Sequence, residues 1–181
     1  MFRKVDERRA YDGEFVKVAV VTFEGHDGAR FDREIVRHRG AVGVVALTDD
    51  GTRAVLVRQF RAAVGEAVLE IPAGKLDVEG EAPEAAARRE LEEEAGLRAI
   101  GAMELLSTYV VAVGMSDETM AIYLCRATEP CEVRPQSAEE ELMSVETVAL
   151  DDVAAMIADG HLRDAKTIIG LLLAQRMVDQ P

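Results

Sequence analysis

The chain has no tryptophan, and aromatic residues make up only 4% of it, so any core must be built from aliphatic side chains. Cysteine is scarce: Cys125 and Cys131 show neither metal-ligand spacing nor a CxxC pair, and both are expected to be simple thiols. The three histidines, His26, His38 and His161, also lack ligand spacing. No apolar run is long enough to span a bilayer, and the opening MFRKVDERRA lacks the apolar stretch of a signal peptide. The expectation is a cytoplasmic protein with no membrane partner. Positive charge is in deficit, with 21 Lys and Arg against 34 Asp and Glu and a formal net charge of −13. Phosphate backbones select for basic surfaces, so a nucleic-acid partner is not expected. A small anionic substrate stays open, provided local arginines or a bound cation meet it. There is no G-x-S-x-G elbow and no G-x-x-x-x-G-K loop, and Ser116 stands in GMSDE without such a context.

What is present is 49% hydrophobic in 181 residues, enough for a compact domain with a sizeable core and against disorder. Strands are expected at 14–23 and 31–38 around the turn GHDG, then at 41–48 and 53–60 around DDG. Further strands are read at 67–72, 104–113, 118–127 and toward 150, with closing helices near 151–158 and 165–177. Strands on both sides of a middle helix, with terminal helices, predict an α/β sandwich. The N-terminal hairpin would bury little by itself and invites cover from a partner subunit. Residues 1–38 are therefore expected to form a strand-rich dimerisation region, and 39–181 the main domain.

The middle helix lies in GKLDVEGEAPEAAARRELEEEAGL (74–97), where carboxylates crowd. Pro83 suits a first helical position and Gly96 a terminating one. At 3.6 residues per turn, Glu90, Glu93 and Glu94 fall within an arc of about 100°. Ala87, Leu91 and Ala95 make the neighbouring apolar stripe, which should face the core. Three converging carboxylates at a core edge repel unless a cation neutralises them, and a hard divalent ion takes oxygen ligands. Arg89 lies beside Glu93 on the wheel and could orient it. The alternative is a solvated charged face. Glu84–Arg88 reads as an ordinary i,i+4 pair, and Glu92 points away.

This stretch resembles the Nudix box, G-x5-E-x7-R-E-U-x-E-E-x-G-U with U aliphatic. Glu81, Arg89, Glu90, Leu91, Glu93, Glu94, Gly96 and Leu97 match it. Upstream the chain departs: six residues, not five, separate Gly74 from Glu81. EIPAGKLD (70–77), REIVRHRGAV (33–42), VRQFR (57–61) and DAKTIIGLL (164–172) extend the resemblance to the ADP-ribose pyrophosphatase branch. That branch commonly carries a Pro-Gly pair after the box, where this chain has Val113-Gly114.

The resemblance implies a Nudix-type α/β/α sandwich with a mixed sheet, plus the N-terminal hairpin subdomain. It implies a Mg²⁺-dependent hydrolase, with Mn²⁺ as a possible substitute, that cleaves ADP-ribose to AMP and ribose 5-phosphate, as a homodimer. Its metal ligands would be Glu90, Glu93, Glu94, Glu141 and the carbonyl of Ala73, with Gly74 permitting the turn that exposes that carbonyl. The base would be Glu139 in the late acidic loop AEEELM (138–143); Glu140, Glu141 and Glu93 remain alternatives. Arg61 would meet the diphosphate or a ribose, and Glu70 ribose hydroxyls or the loop. Arg33 and Glu34 would lie near the adenine, and Gly114 and Met115 on the substrate loop. Another nucleotide sugar, GDP- or UDP-linked, is the competing substrate class. A nucleotide-sensing module without catalysis is the competing function, which the intact box glutamates disfavour.

Overall fold

A computed structural model describes residues 1–126, 128–132 and 142–178. The chain divides into two compact units, Met1–Gly40 with Tyr109–Met120, and Ala41–Thr108 with Ala121–Pro181.

The first unit holds an antiparallel sheet of β1 (Arg3–Asp12), β2 (Lys17–Glu24) and β3 (Arg30–Arg37), in that order. The sequence predicts only the hairpin of the last two. β1 escapes a pattern search because every residue in it except Val5 is exposed, so no polar–apolar alternation marks it. Its backbone ladder to β2 holds it in place. Ala19, Val20 and Val21 of β2 are buried and give this sheet its apolar centre.

The main sheet has seven strands. Its path runs β12 (Ser144–Ala149), β5 (Arg53–Arg61), β4 (Ala41–Leu47), β10 (Thr119–Cys125), β9 (Glu104–Val110). β6 (Glu66–Glu70) pairs with β5 and β7 (Ala73–Lys75) with β4, both antiparallel. A small pair, β8 (Leu97–Ala99) with β11 (Thr128–Pro130), lies apart. Strands of three residues leave no periodic signal, so β7, β8 and β11 were not legible beforehand.

Every residue of β4 is buried, which explains its nearly continuous apolar run. Val42, Val44 and Ala46 pack with Ala86, Ala87, Leu91 and Ala95 of helix α1 (Pro83–Ala95). On the opposite face Val45 meets helix α3 (Ala165–Val178). A Cβ on Gly170 of α3 would come within 2.9 Å of Val45 and 3.3 Å of Ile122, so only glycine lets this helix approach so closely. A short helix α2 (Val153–Ala158) precedes it. A sheet between α1 and α3 is the expected α/β/α sandwich.

Candidate active site

Helix α1 starts with Pro83 in its first turn and ends on Gly96, whose φ of 63° is left-handed. The predicted apolar stripe is correct: Ala87, Leu91 and Ala95 are buried in the sheet-side core. The acidic arc therefore lies at the edge of that core. Glu90 and Glu94 are only 9% and 7% exposed. Glu84 accepts from Arg88 (2.8 Å), the expected i,i+4 pair, and Glu92, expected to point away from the patch, accepts from Arg98 (3.0 Å).

Arg89 organises the patch. Its guanidinium donates twice to Glu81, at 3.1 and 3.0 Å, and Nη1 donates to Glu90 (2.6 Å) and Glu93 (3.0 Å). These carboxylates hold the Arg89 pKa above its ordinary value, the hydrogen bonds it donates to Glu81 most of all. Glu94 turns the other way, accepting from the backbone N–H of Ala73 at 2.9 Å. Helix α1 and strand β7 are thus tied together at the position from which the Ala73 carbonyl would act. Among the described residues, no group of three or more His, Cys, Asp or Glu side chains is gathered where it could hold a metal ion. Arg89 stands between Glu90 and Glu93, and Glu94 faces β7.

Gly74 has a reason to be glycine other than the turn expected of it. It is absent from the positive-φ glycines, but an added Cβ would lie 2.0 Å from the carboxyl carbon of Glu90. The strand backbone is pressed against the carboxylate. Burial pushes the Glu90 pKa up to about 7, Arg89 opposes that rise, and Glu93 and Asp77 add to it. A buried carboxylate with anionic neighbours against a peptide edge is an all-oxygen donor set. That chemistry fits a hard divalent cation.

A second cluster lies at the edge of the same unit. Arg61, at the end of β5, makes a two-pronged ion pair with Glu70 of β6, both contacts 2.7 Å. Lys166 also bonds Glu70 and lies 3.1 Å from Asp164. Asp164 accepts from the Thr167 hydroxyl (2.6 Å) and N–H (2.9 Å), fixing the start of α3. The oxygen of Thr167 then accepts from the Ile71 N–H at 2.8 Å. The loop between β6 and β7, which delivers Ala73 and Gly74, is therefore anchored by α3. The hydrogen bonds that Arg61 donates to Glu70 raise its pKa, and the charge of Glu94 adds to them, which places Arg61 in the field of the acidic helix. Neither Lys166 nor Thr167 was singled out from sequence. The signal available was only their place in DAKT.

In the first unit, Arg33 and Glu34 sit on β3. Arg33 lies over the Phe31 ring at 4.5 Å and donates to the Asp32 carbonyl. Gly114 and Met115 lie in a loop stitched to the end of β3. Val36 N–H donates to the Met115 carbonyl (2.8 Å), and Asp117 accepts from Arg37 and from the His38 N–H, both at 2.8 Å. Glu7 of β1 holds Arg37 from its other side (2.8 Å). Arg37 and Asp117 were missed as loop-positioning residues. Their pairing spans residues far apart in sequence, which no local pattern shows. Glu139, Glu140 and Glu141 lie outside the described residues.

Helices on both faces of the sheet, with an arginine-wired glutamate patch against a glycine edge, define a Nudix hydrolase, an enzyme of the phosphoanhydride-hydrolase class. The chain belongs to the NUDIX domain family, whose model matches residues 37–170. Such hydrolases generally use divalent metal ions. Over 173 residues it is 34% identical to the ADP-ribose pyrophosphatase of Bacillus subtilis (strain 168), covering 96% of this chain and 92% of that one. It is 39% identical over 147 residues to the ADP-ribose pyrophosphatase of Mycobacterium tuberculosis (strain ATCC 25618 / H37Rv), covering 80% and 69%. It is also 32% identical over 147 residues to the GDP-mannose pyrophosphatase of Yersinia pestis (strain Pestoides F), covering 77% and 72%. A crystal structure of an ADP compounds hydrolase superposes with a TM-score of 0.86 at 22% identity, covering 98% of this chain and 94% of that one, a likeness of fold. Among the described residues, no helix is long and apolar enough to cross a membrane.

Proposed function

We propose that this protein hydrolyses the diphosphate of ADP-ribose to AMP and ribose 5-phosphate, with Mg²⁺ as its cofactor. The observation that carries the reading is the buried Glu90 carboxylate, pressed on Gly74 and bound by Arg89. Glu90, Glu93 and Glu94 would hold the cation together with the Ala73 carbonyl and Glu141, and Mn²⁺ suits the same donors. When bound, the cation supplies charge neutralisation at the diphosphate and acidifies a water. The rest falls to the chain itself. Arg89 keeps Glu90 and Glu93 in place between turnovers. Glu139 takes the proton of the attacking water, and Glu93 is the competing base. Arg61, oriented by Glu70, faces the diphosphate or its ribose with a planar cation suited to phosphate. Arg33, Glu34, Gly114 and Met115 bind the remainder of the nucleotide.

We further propose a cytoplasmic homodimer built through the N-terminal region, residues 1–38. The exposed Phe2, Tyr11, Phe15 and Val16 of that region support it. A GDP- or UDP-sugar is the second reading, favoured by Val113 in place of the branch's proline and by the GDP-mannose pyrophosphatase among the relatives. Hydrolysis of ADP-ribose, GDP-mannose and UDP-sugars, each with Mg²⁺ and with chelator, decides between them. Chelator-sensitive release of AMP from ADP-ribose, well above the other rates, is the expected result. A faster GDP- or UDP-sugar would transfer the same chemistry to the second substrate. No turnover of any member would overturn the enzymatic reading.

A further inference from the structure

Gln59 is a polar side chain where the fold calls for an apolar one. It is 6% exposed, and its Oε1 has no hydrogen-bond partner among the described residues. Successive strand residues alternate between faces, so Gln59 shares its face of β5 with Val55, Val57 and Arg61. Val55 and Val57 lie in the core against α1, together with Leu91. Arg61 is bound to Glu70 and stands in the field of Glu94. Gln59 thus occupies the step at which the dry core between sheet and helix gives way to the acidic site. Its register partner on β6 is Val68, and Met143, which precedes β12, packs on the same core cluster as Val55 and Val57. Both side chains are apolar and can offer the amide nothing.

A buried acceptor without a donor is a standing cost to the fold. An aliphatic residue would remove it, as at the neighbouring positions 55 and 57. We propose that Gln59 is a substrate-binding residue whose amide oxygen accepts a hydrogen bond from a sugar hydroxyl of the bound nucleotide sugar, beside the diphosphate. This rests on the function proposed above and adds to it a residue that reads sugar, not phosphate. A phosphate oxygen is itself an acceptor and cannot satisfy Oε1. A nucleotide sugar carries hydroxyl donors on the sugars next to its diphosphate. The competing occupant is a trapped water, which would satisfy the atom without serving the reaction.

Gln59→Met keeps length and shape and removes the acceptor, and Gln59→Leu provides a second apolar variant should methionine pack poorly. Steady-state kinetics with ADP-ribose and thermal unfolding without substrate are measured for each. The expected result is a KM about three- to tenfold higher, the worth of one neutral hydrogen bond, with kcat close to wild type. The melting temperature should be unchanged or higher, because an unsatisfied group has been removed from the core. A structural role predicts the opposite, a lower melting temperature with unchanged KM, and that outcome overturns the proposal. Unchanged kinetics with unchanged stability assigns the atom to a trapped water and also overturns it. A fall in kcat with unchanged KM would move the contact from the sugar to the attacking water and reject the substrate assignment. If the wild type turns over no nucleotide sugar, the proposed function fails first and takes this contact with it, a result distinct from an active wild type with indifferent variants.

Discussion

Gly74→Ala separates what the fold needs from what the site needs. The added Cβ would lie 2.0 Å from the Glu90 carboxyl carbon, and ordinary contact begins near 3.4 Å, so the carboxyl group must retreat by about 1.4 Å. The obstructing atoms are the far end of a flexible side chain, so the backbone need not move. Overpacking then costs at the low end of its range, about 1 kcal/mol. Gly74 is not among the positive-φ glycines, and alanine at a compatible position returns about 0.4–1 kcal/mol by restricting the unfolded chain. The two nearly cancel, and the melting temperature should move by no more than about 4 °C. Activity is another matter, because the carboxylate that yields is the one held by Arg89 at 2.6 Å. Misplacing a catalytic group by about 1 Å costs on the order of a hundredfold in rate. The assay is turnover of ADP-ribose at saturating Mg²⁺, beside a thermal melt. Turnover within about threefold of wild type, with the fold intact, would refute the claim that the Glu90 position against β7 sets the rate.

Three further outcomes follow from the same geometry. Glu94→Gln leaves an oxygen to accept from the Ala73 N–H, so the melt should stay near wild type while turnover is lost; normal turnover would remove Glu94 from the metal assignment. Burial works to raise the Glu70 pKa, but Arg61 and Lys166 outweigh it and the net shift is downward. The stability this carboxylate contributes is therefore full above its unfolded pKa and lost as pH falls through its lower folded value. Glu70→Gln should cost about 2–3 kcal/mol at pH 7, less than the roughly 3–5 of a fully buried pair because Arg61 is 40% exposed, with the gap closing in acid; a gap constant with pH by chemical denaturation would contradict the sign. Asp117→Asn keeps an acceptor for His38 but weakens the pair with Arg37, and Asp117 is 41% exposed, so the effect is discounted to a KM about two- to fivefold higher with little loss of stability. An unchanged KM would show that the loop at Gly114 and Met115 does not depend on this clamp.

Helix α1 was legible because each local signal agreed: a proline at its start, a left-handed glycine at its end, and an apolar stripe at helical spacing. The strands with strong apolar content were legible for the same reason. β1 was not, because RKVDERRAYD is mostly charged, shows no polar–apolar alternation, and takes its strand state from pairing with β2. The carboxylate arc was read correctly as a set of positions, since helix geometry fixes where side chains start. Where they end was beyond it. Whether Glu94 reaches toward Glu90 or toward Ala73 depends on β7, twenty-one residues upstream of it, and only the folded chain brings the two together. Gln59 is the sharper case. In VRQFR it reads as one more residue of a strand, and its meaning lies in the partner its oxygen lacks.

The acidic helix is held by elements that do not share its sequence neighbourhood. From below, Leu91 and its neighbours fix it to β4 and β5. From the side, β7 presses on Glu90 and donates to Glu94, and β7 is itself held by the loop that Thr167 of α3 pins through Ile71. From within, Arg89 spans Glu81, Glu90 and Glu93. A carboxylate crowded among its own kind would otherwise swing outward to water, where repulsion is screened and desolvation is absent. Arg89, β7 and the packed stripe together oppose that motion, so the patch is poised at a core edge before substrate arrives. With its extra residue the segment from Gly74 to Glu81 still serves these restraints, because it brings Glu81 within 3.0 Å and Asp77 within 3.9 Å of the Arg89 guanidinium.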